Sequence, residues 1–220
     1  MKIILTLILL ILTFFPSYPQ SVSNVQDPAA EPYLRILSEM FNPDKAVQLE
    51  FKYEAISLTD NSSSGDFGSV IIKGPKYKLK LEDGEMYYNG EKLWVYNKAA
   101  EEVYTSLPKE GNKEQYFIDP FRLLSKYKDH FKYKLMNDVT VDSRKYTLVE
   151  LYPNDLKSNY SILRVLMSKS ANDLYSIEYQ QKNGVIYKIY INEIISPIKI
   201  SDSAFTWDPA AHPDVLEIEM

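Results

Sequence analysis

The sequence predicts a mainly β protein with inserted helices, arranged as one curved antiparallel sheet or barrel. Short runs of alternating apolar and polar residues recur at even spacing from residue 46 onward. Asp-Gly and Asn-Gly pairs punctuate them, and only two segments switch to a helical period. The run "KYKLKLE" (76–82) is the clearest strand. Tyr77, Leu79 and Leu81 share one face, and Lys76, Lys78 and Lys80 share the other.

The elements follow in order. Asp27-Pro28 and Glu31-Pro32 are helix starts, with proline in the first turn. Tyr33, Leu34, Ile36, Leu37, Met40 and Phe41 follow at helical spacing, and Asn42-Pro43 stops the run. Strands are expected at 46–58, 67–73, 76–82, 91–97 and 102–107, with "DNSSSG" (60–65) as a loop. Asp119-Pro120 opens a second helix through "FRLLSKYKDH" (121–130), with Phe121, Leu124 and Tyr127 on one side. Strands resume at 130–136, 144–152, 161–168 and 173–181. Asn183-Gly184 then turns the chain into 185–195, and a last strand is expected at 203–207. The total is about eleven strands. Residues 207–220, with two prolines and several acids, are expected to be a loose tail.

The N-terminus has the pattern of a secretory signal peptide. Lys2 is followed by an uncharged apolar run at residues 3–15, and Pro16, Ser17, Pro19 and Ser21 break it. Residues 1–20 are therefore expected to be removed, leaving 21–220 as a single domain. The chain has no cysteine, which excludes disulfides, thiol chemistry and lipidation after a signal peptide. Its formal net charge of −5 suits neither nucleic acid nor an anionic membrane surface.

Catalytic patterns are missing. His130 and His212 are the two histidines, too few and too far apart for a usual metal site. No G-x-S-x-G turn or glycine-rich phosphate loop occurs. No enzyme activity, metal or cofactor is expected. Aromatic content is the unusual feature. Tyrosine occurs 18 times, and "NGEKLWVYNK" (89–98) holds a strand that is apolar on both faces. Leu93 and Val95 fall on one side, Trp94 and Tyr96 on the other.

Four segments resemble one family in order and spacing over roughly residues 28–210. "NGEKLWVYNK" with "EEVYTS" resembles the D/N-G-x-x-L-W-x-Y hairpin of LolA, the periplasmic outer-membrane lipoprotein carrier protein. "GSVIIKGPKYKLKL" (68–81), "DPFRLL" (119–124) and "AFTWDP" (204–209) are similar to further motifs of that family. The resemblance implies an incomplete antiparallel β-barrel covered by an α-helical lid. It also implies a monomeric carrier that shields the acyl chains of lipoproteins. Cargo would come from an inner-membrane release complex and pass to an outer-membrane receptor. The missing cysteine favours carrier over the lipid-anchored receptor. Another lipid-binding or envelope-stress-sensing module on the same fold, and a secreted hydrolase, are the competing readings.

The resemblance also implies which residues line a lipid cavity. Tyr77, Leu79, Leu81, Leu93, Trp94, Val95 and Tyr96 would come from one pair of strands, and Phe131, Tyr133 and Leu135 from the strand after the second helix. Leu37, Met40, Phe41, Phe121 and Leu124 would come from the lid. Leu93 and Val95 are preferred over Trp94 and Tyr96 as the cavity pair, because smooth aliphatic walls suit acyl chains. For each residue singly, ordinary core is the competing reading. The family's lid-latching arginine is replaced by Lys73 or Gly74, depending on alignment. Lysine lacks the planar fork of arginine, so the arginine latch is not carried over as such; Lys73 is the candidate in its place.

Overall fold

The computed structural model describes residues 26–108, 124–168 and 174–220. Two meanders make the sheet. The first runs through β1 (Ala46–Ser57), β2 (Ser63–Lys73), β3 (Lys76–Leu81), β4 (Gly84–Tyr88), β5 (Leu93–Asn97) and β6 (Glu102–Ser106). The second runs through β7 (Phe131–Val141), β8 (Arg144–Pro153), β9 (Tyr160–Met167), β10 (Leu174–Gln181) and β11 (Val185–Ile198). β1 and β11 pair along most of their length and join the two halves. A terminal strand, β12 (Leu216–Glu219), completes the order β12-β6-β5-β4-β3-β2-β1-β11-β10-β9-β8-β7. The sheet has 12 strands, and its ends, β12 and β7, do not meet. It is an incomplete barrel.

Turn chemistry sets much of the register. Gly74, at φ +56°, and Pro75 make the two-residue β2–β3 turn. Asp142 and Ser143 both take positive φ in the β7–β8 hairpin, which carries β7 to Val141, beyond the predicted end at 136. A charge ladder on the outer face fixes the second half. Lys134, Glu150, Arg164, Glu178, Lys188 and Glu54 stand directly opposite one another across six strands, alternating in sign. Arg164 contacts Glu150 at 2.9 Å and Glu178 at 2.7 Å, and Lys188 lies 3.5 Å from Glu178. Each such pair contributes roughly 0.2–1 kcal/mol, and any slip of register would lose several together.

The main core lies on the inner face. Val47, Leu49 and Phe51 of β1, Tyr77 and Leu79 of β3, Phe131 and Tyr133 of β7, and Leu163 and Val165 of β9 are buried there. The helix α1 (Glu31–Met40) adds Tyr33, Leu34 and Leu37 to the same cluster. The Tyr33 hydroxyl lies 3.2 Å from Thr147 Oγ1 of β8, and the Tyr133 hydroxyl donates to Glu31 at 3.2 Å. Ser38 donates to the Ser125 carbonyl at 2.7 Å, tying α1 to the segment before the short helix α2 (Tyr127–His130).

The C-terminal region differs from expectation. Residues 202–205 form a 3-10 turn, where the sequence predicts a strand at 203–207. Phe205 and Trp207 are both buried, which a flat two-residue alternation would read as strand. The tail is docked, not loose. β12 pairs in parallel with β6, supplying hydrogen-bond partners to an edge that would otherwise stand open. β4 and β12 are the two strands the sequence did not reveal.

Candidate functional site

β5 explains why its own sequence is apolar on both sides. Leu93 and Val95 face inward and pack with the main core. Trp94 faces outward into a second cluster with Tyr87, Val103 and Trp207, and Tyr96 packs against it. Trp207 approaches Tyr96 at 5.0 Å and stacks on His212 at 4.2 Å between ring centroids. The C-terminal segment therefore roofs the outer face of β4–β6. Leu93 is 3% exposed and Trp94 7%, so both faces exclude water by different means. The placement of Trp94 and the Tyr96 ring on this outer side removes them from the predicted set of inner-face apolar walls.

Burial falls along the inner faces of β1, β3 and β5. On β1, Val47, Leu49 and Phe51 are buried and Tyr53 is partly exposed. On β3, Tyr77 and Leu79 are buried and Leu81 is partly exposed; on β5 the same change runs from Leu93 to Val95. At the more exposed end is a hollow of about 250 Å³. Leu79, Leu81, Met86 and Val95 supply its apolar lining, and Tyr53, Asp66, Asp83, Glu85 and Asn97 its polar part. The Tyr53 hydroxyl pKa is raised, first by burial and then by the charges of Asp66 and Asp83. The phenol therefore stays protonated beside the two acids.

Two glycines shape this end. A Cβ on Gly68 would lie 2.7 Å from both Phe51 Cζ and Leu81 Cδ2. Glycine there lets those side chains close over the backbone between the packed end and the hollow. A Cβ on Gly84 would meet the Tyr96 carbonyl oxygen at 2.2 Å, so β4 and β5 approach closely beside the hollow.

The predicted site residues divide accordingly. Leu79, Leu81 and Val95 line the hollow, and so do atoms of Tyr96, although its ring packs outward. Leu37, Phe41, Tyr77, Leu93, Leu124, Phe131 and Tyr133 are filled core, with Met40 and Leu135 packed against it. Phe121 lies outside the described residues. Sequence reasoning missed Met86, because β4 went unrecognised, and Tyr53, because tyrosine is common at half-exposed strand positions. The strict inward placement of Phe51 along β1 was the signal that could have found Tyr53.

Lys73 is not a latch on α1. Its ammonium reaches Asp202 Oδ1 at 2.8 Å, and Lys76 reaches Oδ2 of the same carboxylate at 2.7 Å. The side chain leaves the outer face of β2, opposite the side that α1 covers, and clamps the C-terminal segment. This double contact holds the Asp202 carboxyl at a pKa of about 2, below its ordinary 3.8. Among the described residues, no group of three or more His, Cys, Asp or Glu side chains could hold a metal ion.

Residues 50–174, from β1 to the start of β10, match the family described as "Outer membrane lipoprotein carrier protein LolA". The chain belongs to that family. Solved structures align with it at low identity. An uncharacterized conserved protein from Thermus thermophilus aligns with a TM-score of 0.54 at 8% identity, over 87% of this chain and 99% of that one. A LolA superfamily protein from Nitrosomonas europaea aligns at 0.42 and 13% identity, covering 81% and 97% of the two chains. Lipoprotein LppX from Mycobacterium tuberculosis aligns at 0.46 and 11% identity, covering 80% and 100%. No curated protein matches the sequence. The LolA assignment agrees with the open sheet described above.

Proposed function

We propose that this protein is a periplasmic carrier that shields the acyl chains of lipoproteins during transfer from the inner to the outer membrane. One observation carries the reading: a chain of the LolA family has, beside the inner face of its open sheet, a hollow whose floor is aliphatic and thioether (Leu79, Leu81, Met86, Val95) and whose rim carries Asp66, Asp83, Glu85 and Asn97. Burying an acyl chain gains roughly 0.8 kcal/mol per methylene and needs few oriented polar groups. A hollow of about 250 Å³ takes part of one chain, just under the roughly 300–1,000 Å³ of small-molecule pockets. Longer cargo requires neighbouring side chains to repack. Met40 and Met86, unbranched and flexible, are suited to that.

Residues 1–20 act as the signal peptide in this account. The absence of cysteine leaves the mature protein unanchored, free to move from an inner-membrane release complex to an outer-membrane receptor. The test compares purified protein with one lipoprotein in acylated and non-acylated form. Binding of the acylated form, with the non-acylated form at least tenfold weaker, is expected. Equal binding of both would overturn the carrier reading.

A further inference from the structure

A second groove lies on the opposite, outer face of the sheet, where acyl binding assigns nothing. It measures about 310 Å³ and lies between β2–β3 and the C-terminal segment. Lys78 and Lys80 of β3 line it, with Ser69 and Ile71 from β2 and Ile200 from the C-terminal segment. Register places Ile71 opposite Lys78 and Ser69 opposite Lys80, so ammonium, hydroxyl and aliphatic groups face one space. The roof is fixed in place by the contacts of Lys73 and Lys76 with Asp202.

The charges here are unevenly satisfied. Lys73 and Lys76 share the Asp202 carboxylate at normal ion-pair distance. Among the described residues, Lys80 has only a long contact, 3.8 Å, to Glu85, whose carboxylate also accepts from the Tyr87 hydroxyl. Lys78 is half-buried, and its ammonium lies 4.7 Å from the centre of the Tyr87 ring. Among the described residues no carboxylate reaches Lys78 at ion-pair distance. Burial draws its pKa down, as expected of a cation removed from water without an anion beside it. A partly desolvated ammonium is costly unless paired, and a cation–π contact offsets only part of that cost. This happens in a chain whose net charge is −5, so the cluster is not a background of general basicity.

We propose that this groove binds a phosphate group carried on a small glycerol-like or lipid moiety. The phosphate oxygens accept from the Lys78 and Lys80 ammoniums and from the Ser69 hydroxyl. The adjoining carbon atoms lie against Ile71 and Ile200. Lysine serves here as a point charge for phosphate, and the volume suits a headgroup, not an extended polymer. A soluble glycerol phosphate and the headgroup of an anionic phospholipid share this chemistry. The site lies on the face away from the acyl hollow and does not depend on the carrier reading.

The test uses the whole mature chain. Glycerol 3-phosphate is titrated by calorimetry, and flotation is measured with phosphatidylglycerol vesicles and with phosphatidylcholine vesicles. The expected result is binding of glycerol 3-phosphate, of phosphatidylglycerol vesicles, or of both, weakened at least tenfold by Lys78→Gln. Lys80→Gln should weaken it similarly, which keeps the test decisive if one variant folds poorly. Lys145→Gln, an exposed lysine paired with Asp138 on the β7–β8 hairpin, should leave it unchanged. Binding to free glycerol 3-phosphate alone identifies a soluble ligand, and vesicle binding lost in Lys78→Gln identifies a membrane headgroup. Binding of neither, or binding weakened equally by Lys145→Gln, overturns the proposal.

Discussion

The two ends of the inner sheet face differ although β1, β3 and β5 run through both. At one end Leu49, Tyr77, Leu93, Phe131 and Tyr133 are buried in a filled core with Leu34 and Leu37 of α1. At the other, Leu81, Met86, Val95 and Tyr53 are partly exposed around a hollow. On β1, β3 and β5, packed core and open hollow are thus separated along the length of one strand. A carrier on such a scaffold can bind and release cargo at one end while the other holds the fold. Gly68 stands at the boundary, where Phe51 and Leu81 meet over its backbone.

That contrast can be broken by mutation. The largest effect is expected at the packed end. Leu49→Ala or Leu37→Ala, each at a fully buried site, should cost about 2–5 kcal/mol in denaturant unfolding. A loss similar to that of an exposed-site mutant would mean the end is not packed as described. At the boundary, Gly68→Ala should cost about 1–3 kcal/mol, because its Cβ would press on the Phe51 ring. At the open end, Leu81→Glu should weaken binding of an acylated lipopeptide at least tenfold, while Lys78→Glu on the outer face changes it little. The reverse order would refute the division into inner and outer faces.

The smallest effect concerns the C-terminal clamp. The folded-state pKa of Asp202 is depressed, so its contribution is present above the ordinary value of 3.8 and is lost as pH falls through about 2. Amide exchange of residues 202–207 should accelerate over that window, and added salt should mimic part of the change. Asp202→Asn should remove the pH dependence. No change in that variant's profile would place the titration elsewhere.

Much of this architecture was legible in the sequence because period-two alternation on one strand face is a local property. The run from Tyr77 to Leu81 declares its faces without help from the rest of the chain. β4 was hidden because its five residues begin at Gly84, inside the Asp83-Gly84 turn signal. β12 was hidden because its acids conceal a strand whose only function in the sheet is to pair with the edge of β6. The roles of Trp94 and Tyr96 depend on Trp207 and His212, and that of Lys73 depends on Asp202. Contacts across such chain distances leave no local pattern. The two-sided apolar strand was visible in the sequence; what covered each side was not.

The most direct measurement concerns where the acyl chain goes. A lipopeptide carrying a nitroxide on the terminal carbon of one acyl chain would be bound to isotope-labelled protein, and paramagnetic broadening mapped by NMR. The strongest broadening is expected at Leu79, Leu81, Met86 and Val95, around the inner hollow. Strongest broadening at Trp94, Val103 and Trp207, or none localised to either face, would contradict acyl binding in that hollow.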